Sequence, residues 1–226
     1  MVQYDDHERK SLVDLFYPVD ASLEAVASGQ ALQCGDFVHG EYEAKIRRNP
    51  DRIQVQMSRD GNVNGTPIRI TKGITLESGS RAVEIAYYLE NLPQEQVLHL
   101  VTEFNFAGLP SGADDRYFHD LEGNRLGHLG SRLDLRDVSR LGLVDEWLGI
   151  DVKLSLSRST GLWAFPIETV SQSEGGFELV HQSVAVMPHW FVEADDQGCW
   201  GATLRLELDT TRAEERRQEA ATANAT

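Results

Sequence analysis

Apolar residues recur at every second position in this chain, in one segment after another. Ile53, Val55 and Met57 share a face, as do Val83, Ile85 and Tyr87, and then Leu204, Leu206 and Leu208. Ile68 to Thr71, Ile74 to Leu76, Val97 to Phe106 and Val152 to Leu156 continue the series. A period of two is that of a strand with one face buried and the other wet. Turn-forming clusters separate the runs: Asp60-Gly61-Asn62, Asn64-Gly65, Glu77-Ser78-Gly79, Asn91-Leu92-Pro93, Glu122-Gly123-Asn124 and Glu174-Gly175-Gly176. Strands at this spacing predict an all-β fold, an antiparallel sandwich or barrel rather than βαβ units. Neither an internal repeat nor a Pro- or Ser-rich linker interrupts residues 9–208, which read as one β-sandwich domain. For one sandwich that length implies a large two-sheet supersandwich.

Helix is expected only near the ends. Arg9 to Tyr17 carries Leu12, Val13, Leu15 and Phe16 at amphipathic spacing and stops at Pro18. Ala21 to Val26 reads as one or two turns, with Asp20 or Ser22 as cap and Gly29 as the stop. Residues 1–8 form a polar lead. Residues 209–226 are expected to be a flexible, partly helical tail, because from Thr210 onward nothing apolar is larger than Ala.

Charge narrows the function. With 36 acids against 21 bases the net charge is −15, a surface that repels nucleic acid. No apolar run reaches the ~18 residues of a membrane-spanning helix. The polar, acidic start lacks the order of a secretion signal, so Cys34 and Cys199 are read as separate thiols in a reducing, cytoplasmic setting. A Gly-rich phosphate loop, a nucleophile elbow and metal-ligand spacing are all missing, so neither metal nor cofactor is expected.

Adjacent acids deserve a separate look, since paired carboxylates cut glycosidic bonds. Neighbours on a strand point to opposite faces, so adjacency alone cannot bracket one bond. Asp114-Asp115 and Asp195-Asp196 read as turn acids. Asp145-Glu146, followed by Trp147, stays a candidate for binding, with Asp145 more readily a buried, hydrogen-bonded acid. The densest unusual segment is Gly161 to Trp190. Trp163, Glu168, Gln172, Glu174, His189 and Trp190 combine aromatic faces, which pack on sugar C–H groups, with side chains that hydrogen-bond hydroxyls. The competing expectation is that Trp163, Phe165 and Trp190 are core.

Three stretches carry a resemblance. They are Arg9 to Phe16 with Gly35-Asp36-Phe37 and Gly40 to Ala44; Lys72 to Leu76 through Tyr87 to Leu92; and Leu143 to Trp147 through Trp163 to Glu178 and on to Pro188-His189-Trp190. The sequence resembles the C-terminal β-sandwich domain of the α-amylases and 4-α-glucanotransferases of glycoside hydrolase family 57. The resemblance spans residues 8–208 and implies a galactose-mutarotase-like supersandwich. It also implies that the catalytic Glu and Asp lie on an N-terminal β/α barrel, so no catalytic residue is carried over. Expected partners are an α-glucan and such a barrel, and the expected role is an accessory, carbohydrate-binding one. Two alternatives remain, a purely structural role and sugar mutarotation. For the latter, Phe104 to Gly108 is similar to a mutarotase strand, but the His three residues earlier is replaced by Val101; Glu103, His181 and His189 remain acid–base candidates by type alone.

Overall fold

The computed structural model describes residues 7–109, 112–173 and 176–223, with Gln172, Ser173 and Ala223 described by their backbone alone. Glu174, one of the candidate residues, lies outside the described residues. Among the described residues the chain forms a twelve-stranded antiparallel sheet with two helices. Its strands are β1 (Val13–Tyr17), β2 (Glu43–Arg48), β3 (Arg52–Val63), β4 (Thr66–Glu77), β5 (Ala82–Glu90) and β6 (Leu98–Phe106), then β7 (Arg116–His119), β8 (Arg125–His128), β9 (Leu133–Asp145), β10 (Ile150–Ser173), β11 (Gly176–Val192) and β12 (Trp200–Asp209). The path β1-β6-β11-β10-β12-β5-β4-β3-β2 is continuous, while β9 joins β10 to the short β7-β8 pair. The all-β supersandwich expected from alternation is what forms.

Alternation explains the layers. Ile68 and Ile70 of β4, Ile85, Tyr87 and Leu89 of β5, and Ala202 and Leu204 of β12 point inward and meet Leu100, Phe104, Leu141, Leu143 and Leu162 in the main core. Each such buried Ile, Leu or Phe side chain contributes about 1.5–3 kcal/mol. A smaller core lies on the other face of β1, β6, β10 and β11, where Leu15, Val101, Trp163, Phe165 and Met187 are roofed by Leu23 and Val26. That roof is the helix α1 (Leu23–Ala27), whose cap Ser22 accepts from the Ala25 amide. The sequence reading of this turn therefore holds.

The helix expected over Arg9 to Tyr17 is not there. Val13 to Tyr17 is a strand paired with β6, from Val13 against Glu103 to Tyr17 against His99. Both faces are buried: Phe16 enters the main core, while Leu15 and Tyr17 enter the smaller one. A strand buried on both sides loses its alternation and reads as a helix-like apolar run. Downstream of Asp209, α2 (Thr211–Ala223) buries no large apolar residue, and polar contacts attach it: Arg81 to Glu214 at 3.0 Å and Arg216 to the Trp147 carbonyl at 2.7 Å. Cys34 and Cys199 are free thiols. No helix among the described residues is long and apolar enough to cross a membrane.

Candidate functional site

β10 changes partners halfway along. Up to Leu156 it pairs with β12, and from Gly161 it pairs with β11. Its pairing with β9 slips twice over the same residues, between Ser155 and Leu162. Asp137, on the β9 side of the slip, takes a left-handed φ of 55°, a conformation that Asp tolerates better than most residues. Such irregularities re-aim side chains and open gaps. At this fork β11 and β12 diverge and leave a cleft of about 750 Å³.

Aromatic residues wall the cleft. Trp163 (3% exposed) stacks on His189 with ring centroids 4.0 Å apart, and its indole N–H donates to Asp134 at 3.2 Å. Trp190 and Trp200 meet edge to face at 5.8 Å, and the Arg158 guanidinium lies 5.6 Å over Trp200. Phe191, 55% exposed, stacks on His99 at 4.7 Å. Ser22, Arg136 and Asp137 complete the polar rim. Gly161 is required here by close approach, since a Cβ on it would run into the His189 ring.

The two histidines form a directional pair. His99 Nδ1 lies 3.0 Å from the Pro18 carbonyl, which can only accept, so this nitrogen carries the proton. His99 Nε2, 2.9 Å from His189 Nδ1, then accepts from it. His189 Nε2 is left as an acceptor, buried and without a hydrogen-bond partner among the described residues. Burial, reinforced by the neighbouring His99, pushes the His189 pKa down to about 3. At neutral pH the ring is uncharged and weakly basic. The gap thus combines aromatic walls with carboxylates and guanidiniums at its edge and a histidine that is uncharged at neutral pH.

The other candidates fall elsewhere. Asp145 is fully buried, as expected, accepting from Arg116 at 3.1 Å and from the Leu148 amide at 2.8 Å. Glu146 accepts from the Tyr117 hydroxyl at 3.0 Å, and Trp147 beside it is exposed. Past a bulge at Ile167/Glu168 the β10-β11 ribbon continues as an arm, where Glu168 faces His181 and Gln172 faces Phe177. Glu168 is exposed and far along the ribbon from Trp163; five residues of strand span about 17 Å. Trp163, Phe165 and Trp190 are buried as core, though the two Trp residues also wall the cleft. Val101 is buried beneath α1, leaving the mutarotase position closed. Glu103 is buried with Arg9 and His7 each at 3.2 Å; burial raises its pKa, but the His7 hydrogen bond and Arg9 charge outweigh this and hold it low. His181 is tied to the Leu109 carbonyl at 2.9 Å.

Sequence reasoning named three cleft residues, Trp163, His189 and Trp190. It missed Asp134, Asp137, Arg158, Phe191 and Trp200. Phe191 was within reach, because it alternates with His189 on the same face. Asp134 and Asp137 arrive from β9 and Trp200 from β12, while Arg158 precedes Trp163 by five residues on β10 itself.

The chain matches the family described as alpha-amylase/4-alpha-glucanotransferase, C-terminal, over residues 1–204. It is 27% identical over 204 residues to alpha-amylase 1 of Dictyoglomus thermophilum, covering 90% of this chain and 29% of that protein. The crystal structure of 4-alpha-glucanotransferase from Thermococcus litoralis superposes with a TM-score of 0.69 at 23% identity, covering 90% of this chain and 28% of that one. An Escherichia coli K12 protein assigned as an aldose 1-epimerase superposes with a TM-score of 0.52 at 9% identity, over 90% of this chain and 81% of its own, and shares the fold alone. The chain thus spans less than a third of the length of the curated relatives it matches, and the family it matches is described as a C-terminal one. With the family match running over residues 1–204 of 226, the chain belongs to the α-amylase/4-α-glucanotransferase C-terminal domain family.

Proposed function

We propose that this domain holds an α-glucan chain in the cleft at the β10 fork, on behalf of a catalytic β/α barrel that performs hydrolysis or glucan transfer. One observation carries the reading: exposed Phe191 and the buried Trp walls stand beside Asp134, Asp137, Arg136 and Arg158 in one gap. Aromatic faces pack against pyranose C–H groups, carboxylates accept hydroxyl protons and guanidiniums donate to hydroxyl oxygens. The names of the relatives, an α-amylase and a 4-α-glucanotransferase, support the ligand class. The retaining carboxylate pair implied by the resemblance to glycoside hydrolase family 57 belongs to the barrel, so the cleft binds and does not cut.

The barrel is assigned to the β10-β11 arm, where Val170, Leu179 and Phe177 lie on one face and are exposed. Free thiols at Cys34 and Cys199 suit a cytoplasmic setting. Mutarotation is the weaker alternative, with Val101 buried and His189 uncharged and weakly basic.

Calorimetric titration with maltoheptaose tests the cleft. Saturable binding is expected, weakened at least tenfold (~1.4 kcal/mol) by Phe191→Ala with little change in melting temperature. Equal affinity in wild type and variant overturns the reading.

A further inference from the structure

Lys72-Gly73 and Tyr87-Tyr88 carry part of the family resemblance, yet none of these residues lines the cleft. They face one another on β4 and β5, Lys72 opposite Tyr87, Gly73 opposite Ala86 and Thr71 opposite Tyr88. Alternation divides them between two duties. The inward pair closes the core around the buried Asp14 carboxylate, which is held by Lys72 Nζ at 2.7 Å, by the Tyr87 hydroxyl at 2.8 Å and by the Tyr42 hydroxyl. The outward residues have no such duty.

Outside, Lys45, Gln56, Gly73 and Ala86 form one row across β2 to β5. Around this row the surface sinks into a cavity of about 300 Å³, with Tyr88 at its edge. Glycine inside a strand is unfavourable and commonly marks a place where something else comes close. Neither conformation nor packing demands it at Gly73: its φ is not left-handed, and an added Cβ would meet only Ala86 Cβ at 3.9 Å. Tyr88 is 44% exposed, and its hydroxyl donates to Cys199 Sγ at 3.0 Å, which holds the ring in place.

Charge points to the ligand. The cavities around Asp145, around His189 and around Asp60 all include carboxylates, in a chain of net charge −15. No carboxylate lines this one. Lys45 and Arg47 do line it, on the same face of β2 and about 7 Å apart along the strand. Neither has an ion-pair partner among the described residues. Of the acids on this face, Glu84 is engaged by Arg205, Glu90 lies 3.9 Å from Arg69, Glu43 lines the neighbouring cavity with Arg69, and Glu77 follows Thr75 at the end of β4.

We propose that this cavity binds a phosphorylated pyranose, its ring against Tyr88, its hydroxyls on Gln54, Gln56 and Thr75, and its phosphate between Lys45 and Arg47. The site is separate from the cleft and differs from it in ligand charge. The same chemistry occurs in a free hexose phosphate and in a phosphate ester on a glucan.

The test is an NMR titration of the ¹⁵N-labelled full chain with glucose 6-phosphate and, in a second arm, with maltoheptaose phosphorylated at the 6-hydroxyl. Glucose and inorganic phosphate serve as controls. Amide resonances of Gly73, Ala86 and Tyr88 are expected to shift with the phosphorylated sugars, with affinity falling as salt rises. The tighter of the two arms identifies the source. Lys45→Gln with Arg47→Gln should weaken binding at least tenfold. Gly73→Leu should abolish it without lowering the melting temperature, because the added side chain fills open space. Tyr88→Phe should retain binding that Tyr88→Ala loses. Unchanged affinity in Gly73→Leu, or inorganic phosphate binding as tightly as glucose 6-phosphate, overturns the proposal.

Discussion

One hairpin, β10 with β11, contains both the cleft wall and the arm, and its two halves behave differently. From Gly161 it is flanked by β9 as far as Ala164 on one side and by β6 as far as Val184 on the other, sits between two cores and buries Trp163, Phe165 and Met187. Beyond the bulge at Ile167/Glu168 those neighbours end, and Glu168, Val170, Phe177 and Leu179 are exposed. The residue types are similar on both sides. What differs is the number of layers around the ribbon, so a polar or aromatic residue has a structural duty in one half and a free side chain in the other.

Several substitutions would break or sharpen this contrast. Trp163→Ala should be the most damaging, destabilising the fold by about 3–5 kcal/mol in urea unfolding, since it empties a buried site shared by cleft and core. A loss below ~1 kcal/mol would mean that the cleft wall is not packed. Gly161→Ala comes next, at about 1–3 kcal/mol, because the new methyl group collides with His189 and the strand pair leaves little slack.

Acid should act through the same half. The folded-state pKa of His189, about 3, lies below an unfolded value near ~6.5, so the unfolded chain binds the proton first. The stability this represents is present above pH ~6.5 and is lost as pH falls toward 3, about 2 kcal/mol of it between pH 7 and pH 5. Urea melts at the two pH values, compared with His189→Gln, isolate that part; parallel slopes in both proteins would refute it. The arm should give the smallest response. Glu168→Ala should change stability by no more than about 0.5 kcal/mol, because the side chain is exposed and has no hydrogen-bond partner among the described residues. A loss of 1–3 kcal/mol instead would show a buried partner orphaned by the change.

The half-wet strands were legible beforehand. β3, β4, β5 and β12 each show one solvent face, and alternation reports that directly. β1 was misread for the opposite reason: with Phe16 and Leu15 buried on opposite sides, nothing in its pattern distinguishes strand from helix. The tail was judged on its lack of large apolar residues, and its attachments through Arg81 and Arg216 depend on partners more than sixty residues away.

The sequence by itself determined the strand-rich class, a short helical turn over Ala21 to Val26 with Asp20 or Ser22 as its cap, the concentration of aromatics between Gly161 and Trp190 and the family resemblance. All of these depend on local spacing or on residues close together in the chain. Only the tertiary structure decided which of those residues form a site. Asp134 stands opposite Trp163 through ladder register, Trp200 approaches Trp190 because β10 changes partners, and His99 reaches His189 across two adjacent strands. Register and partner exchange depend on how every layer packs at once, so contacts between residues 10 to 90 positions apart leave no periodic trace in the chain.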